Sequence, residues 1–76
     1  MNIPHRKPLE ELTIGETMEN MTFMLGQVSI MTHSPEAIEY IKKNYEQHFT
    51  HLIDKGQYKT AYKYQETWNK ITKVKR

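Results

Sequence analysis

The stretch HSPEAIEYIKKNYEQHFTHLIDKGQYKTAY, from His33 to Tyr62, leaves a short chain few choices of fold. Ser34 offers an N-cap oxygen, Pro35 occupies a first helical position where its missing N–H costs nothing, and Glu36 sets a negative charge in the positive first turn. Ile38, Ile41, Tyr45, Phe49, Leu52 and Ile53 follow at helical spacing, and Glu39 stands one turn before Lys43. Gly56, after Asp54 and Lys55, has the place of a residue that turns left-handed and ends the helix. A further helix is expected from Gln57 to Val74. With only Gly56 and a neighbour between them, the two helices must fold back as an antiparallel pair.

The last helix carries Tyr58, Ala61, Tyr62, Tyr64, Trp68 and Ile71 on a broad aromatic side, and Lys59, Lys63, Lys70 and Lys73 on another. The run KGQYKTA resembles the turn of a tetratricopeptide-type helical hairpin at Gly56, Tyr58 and Ala61, with Tyr45 where such a repeat often has an aromatic. Phe49, Gln65 and Trp68 depart from that pattern and no second copy follows, so the resemblance implies a shared hairpin turn rather than a repeat array.

Upstream, Thr13 and Glu16 have the spacing of a capping box. Ile14, Met18, Met21, Leu25 and Val28 then line one helical face, with Met24 and Met31 widening the stripe and Phe23 and Ile30 lying away from it. A helix apolar on more than one side is central in a bundle or covered by a second subunit. Methionine suits either, because it adapts to irregular surroundings. Gly26 costs such a helix about 1 kcal/mol against alanine unless it permits close backbone approach. A strand pair turning near Gly26 is the competing reading for residues 21–31, since short apolar runs are ambiguous by period alone.

Residues 1–11 hold Pro4 and Pro8 and no periodicity, the pattern of a mobile N-terminal arm; residues 12–76 read as one helical domain. The fold class is therefore all-α, a small three-helix unit ending in an antiparallel hairpin. At 76 residues a single core only just outweighs the entropy of ordering the chain, so completion of the bundle by a homodimer is expected. Cysteine is absent, which removes disulfides and thiolate zinc sites. No apolar run approaches the roughly 18 residues of a membrane span, and no hydrophobic block follows the basic residues near the start, so a cytoplasmic protein that meets no membrane is expected.

Charge is sorted along the chain: six glutamates and no Lys or Arg lie between Pro8 and Ile41, and seven bases against Glu66 alone between Lys55 and Arg76. The basic end raises the reading of a nucleic-acid-binding module, with Lys59, Lys63, Lys70, Lys73 and Arg76 neutralising phosphates and nearby aromatics stacking on bases. Arginine is scarce, so such binding would carry little sequence choice.

His48, His51 and Asp54 lie at steps of three and offer ligands for a zinc-like ion, yet no ligand motif supports them, and His48, in the heptad position between Tyr45 and Leu52, reads better as a boundary histidine hydrogen-bonded to a neighbour. No metal and no cofactor is expected. No cysteine nucleophile or glycine-rich phosphate loop marks an enzyme, the only serines are Ser29 and Ser34, the second placed as a cap, and the paired Glu10 and Glu11 sit in the arm. The leading reading is a small regulatory or adaptor protein, of a size that suits a bacterial or phage accessory factor. It would bind a protein partner through Phe23, Met24, Ile30, Tyr62, Tyr64 and Trp68, with charge at the rim.

Overall fold

A computed structural model describes residues 3–30 and 34–73, with the backbone alone at Lys73. After a 3-10 turn at Leu9–Glu11 come three α-helices: α1 (Ile14–Ile30), α2 (Pro35–Asp54) and α3 (Tyr58–Lys73). There is no strand among the described residues. The strand pair considered for residues 21–31 is replaced by helix up to Ile30; Met31 lies outside the described residues. No helix described is long and apolar enough to cross a membrane.

Helices α1 and α2 begin where side chains serve their free backbone N–H groups. Thr13 Oγ1 accepts from the Glu16 N–H at 3.1 Å and Glu16 returns a carboxylate oxygen to the Thr13 N–H at 3.0 Å, closing the capping box. Ser34 Oγ accepts from the Ala37 N–H at 3.4 Å, with Pro35 at the first helical position. The far end of α2 is a Schellman turn. Gly56 takes φ of +79°, its N–H donates to the Ile53 carbonyl, and the Gln57 N–H donates back to the Leu52 carbonyl, both at 2.9 Å.

Each helix packs against the other two. Met21, Met24, Val28, Ile41, Tyr45, Leu52, Ala61 and Trp68 form the buried core. Trp68 of α3 stacks on Tyr45 of α2 with ring centroids 4.5 Å apart, and the Tyr45 hydroxyl donates to the Tyr64 carbonyl at 2.7 Å. Burial pushes the ionisation of that hydroxyl up, so it stays a donor at any ordinary pH.

Helix α1 is turned from its expected orientation. Its buried line is Thr17, Asn20, Met21, Met24 and Val28, whereas Ile14, Met18 and Leu25 stand half-buried at the margin. At 3.6 residues per turn the buried face has moved by roughly 60° from the apolar stripe. The cause is the stretch expected as an arm. Its first part lies against α1 through His5 and Lys7, Ile3 packs on the core, and the 3-10 turn packs on α2 with Leu12 buried, so the flank carrying Asn20 is covered as well. Lys7 Nζ bonds both oxygens of Glu16, at 2.9 and 3.2 Å, and His5 pairs with Glu19. Gly26 makes no close approach: nothing lies within 4 Å of where a Cβ would stand.

Candidate functional site

The six residues expected to meet a partner do not share one surface. Met24 is fully buried and Trp68 is 5% exposed, so the structure withdraws both into the core, Met24 because α1 is turned and Trp68 because Tyr45 offers its ring a stacking partner. Tyr64 is half-buried, its hydroxyl 2.9 Å from Thr22 Oγ1 and donating to the Met18 carbonyl at 3.2 Å. Phe23 is half-buried outside the core cluster, and Ile30, 72% exposed, ends α1. Tyr62 is 60% exposed near the start of α3.

Around Tyr62 the residues do converge. Tyr58, one turn earlier and 56% exposed, stands on the same side of the helix. The Tyr62 ring meets half-buried Phe49 of α2 edge-on, centroids 5.9 Å apart. An edge-to-face contact suits the ring quadrupoles and fixes the orientation of Tyr62 without hiding it. Two large aromatics thus stand out in water side by side, one of them anchored by Phe49. Tyr58 and Phe49 sat on apolar helical faces in the sequence; that their faces continue onto the surface at this end depends on tertiary packing, which periodicity does not report.

The basic residues of α3 lie beside this aromatic surface. Lys59, Lys63 and Lys70 are all exposed, with Glu66 among them, and none is in an ion pair among the described residues. For Lys73 only the backbone is described, and Lys75 and Arg76 lie outside the described residues. On the other side of α3, Met18 and Leu25 of α1 and Tyr64, Thr60 and Thr67 of α3 line a shallow groove of about 450 Å³, with Lys63 and Glu66 at its rim.

His48 and His51 face inward, each already engaged. His51 Nε2 lies 3.0 Å from the Leu12 carbonyl, which makes that nitrogen the donor. His48 Nδ1 lies 2.7 Å from the Asn44 carbonyl and so carries the ring proton, which leaves Nε2 to accept from the Asn20 amide nitrogen at 3.1 Å. Burial is the main cause that lowers the pKa of His48, opposed by its bond to the Asn44 carbonyl. Asp54 is exposed, and among the described residues no three potential ligands converge on a point that could hold a metal ion.

Asn20 completes this cluster and was not singled out by the sequence. Fully buried, it accepts from the His5 N–H at 3.0 Å, donates to the His5 carbonyl at 2.9 Å, and spends its second amide hydrogen on His48. Asn20 lies well off the apolar stripe of α1, so no local signal in the sequence points to it.

No family model, curated protein or solved structure matches the chain.

Proposed function

We propose that this chain is a small, non-enzymatic regulatory or adaptor protein that binds another protein through the aromatic surface at the start of α3. The observation that carries the reading is the pair Tyr58 and Tyr62, both more than half exposed, with Tyr62 braced edge-on by Phe49. Tyrosine supplies large apolar contact with a polar tip and little rotamer entropy to lose, which is why it recurs at the centre of binding surfaces. The neighbouring lysines give the rim a positive charge that orients an acidic partner. The proposed architecture is an antiparallel α2–α3 hairpin. Tyr45 meets Trp68 and Tyr64 while Phe49 meets Tyr62, so later positions in α2 pair with earlier ones in α3, which supports it. We place a second copy of the chain along the α1/α3 groove, where Met18, Leu25 and Tyr64 leave apolar surface half covered.

The test compares proteins that co-purify from the native cell with the unaltered chain and with a double Tyr58→Ser, Tyr62→Ser variant. Both side chains are exposed, so the variant should keep its helix content and lose its specific partner. Recovery of the same proteins with both would refute the reading.

A second reading is favoured by one observation: Lys59, Lys63 and Lys70 form an unneutralised face next to Tyr62, the arrangement that holds a single-stranded nucleic acid by phosphate contact and base stacking. Binding of a single strand that weakens steeply between two salt concentrations, and is lost when these lysines become glutamine, would replace the first reading with this one.

A further inference from the structure

We propose that Asn20 and His48 form a protonation-gated latch on the N-terminal segment, in which a proton taken up at His48 Nε2 releases residues 3–7 from α1. The geometry leaves little alternative. His48 Nδ1–H is spent on the Asn44 carbonyl, so Nε2 is the one site on the ring that can take a proton, and it faces an amide nitrogen. Once protonated, Nε2–H points at the Asn20 NH2, donor against donor in a buried place. Asn20 then has two courses. If it keeps its orientation, it holds a repulsive contact with an imidazolium; if its amide turns over to offer Oδ1 to His48, its nitrogen meets the His5 N–H and its grip on both main-chain groups of His5 is lost. Either course weakens the clamp.

The groups that share this corner act in known directions. Burial holds His48 below the ordinary histidine value of 6.5, so the latch is closed at neutral pH and opens as the pH falls below that value. A positive His51 opposes protonation further. On α1, Glu16 is turned to Lys7 and Glu19 to His5, and Glu10 and Glu11 of the 3-10 turn are exposed. The side-chain hold of Glu19 on the His5 ring is separate from the main-chain hold of Asn20. The two are separable because they involve different atoms of His5.

The decisive observable is the His5 backbone N–H, whose partner is buried Asn20. In the full chain, its hydrogen-exchange protection, corrected for the intrinsic effect of pH, should fall about tenfold or more from pH 7.5 to 4.5, with a midpoint matching the titration of the His48 ring nitrogens. In His48→Gln, whose Oε1 still accepts from Asn20 without titrating, protection should stay level. Level protection in the unaltered chain, or an equal loss in His48→Gln, would overturn the proposal. Should that variant fail to fold, the midpoint in the unaltered chain decides: a loss that follows Glu19 or His51 rather than His48 contradicts it.

Discussion

Asn20 shows how much a single buried side chain can organise. Its carboxamide satisfies three groups on two other segments, and no buried side-chain polar atom among the described residues is left without a partner. Replacing it with alanine strands the His5 main chain and His48 Nε2 at once. Asn20→Ala should therefore lower the free energy of unfolding by about 2–3 kcal/mol, at roughly 1–3 kcal/mol for each buried group left unsatisfied and with partial relief by water. Chemical denaturation of the two proteins checks it. His48 adds a pH dependence whose sign follows from its lowered pKa. The folded ring resists the proton that the unfolded ring accepts, so the unfolded state binds more protons as the pH drops below about 6.5. Its share of stability is complete above that value and is lost on descending towards the folded pKa. The melting temperature should decline over that range in the unaltered chain and decline less in His48→Gln.

At the level of elements, the ends of the helices carry sharp expectations. Gly56 at φ +79° is in a region where any other L residue is strained, and Gly56→Ala should cost about 1–2 kcal/mol although nothing blocks the Cβ. Gly26 gives the opposite sign. It is exposed in mid-helix with open space around it, so Gly26→Ala should raise stability by about 0.5–1 kcal/mol. Thermal melts of the two variants should move in opposite directions.

These ends were also what the sequence stated most clearly. Ser34–Pro35, Thr13 with Glu16, and Gly56 are local signals, and each sits in the role its chemistry suggests. What the sequence did not disclose was the rotation of α1. An apolar stripe shows which residues want cover, while the face actually buried depends on every segment that arrives, and here the segment around His5 arrives on the Asn20 flank. Two residues expected at a partner surface are buried instead, Met24 because α1 is turned and Trp68 because it stacks on Tyr45. Tyr62 stays exposed near the start of α3, with its ring edge-on to Phe49 of α2.

The whole molecule has a Cα radius of gyration of 11.9 Å, close to the roughly 11 Å of a compact chain of its length, so its surface has little left to gain by further folding. Apolar area still outside must be covered by another molecule or stay wet. Along the α1/α3 groove the second copy should be detectable directly: light scattering should show mass rising with concentration, and Leu25→Asp should hold the chain at monomer mass. A constant monomer mass for the unaltered chain would remove the dimer.

The aromatic surface is the stronger claim, and a photo-crosslinker tests it most directly. With benzoylphenylalanine carried in place of Tyr62 in the native cell, irradiation should produce one defined protein adduct, and the same group in place of exposed Gln47 on α2 should not. No adduct at position 62, an adduct to nucleic acid, or equal yields at both positions would contradict the account.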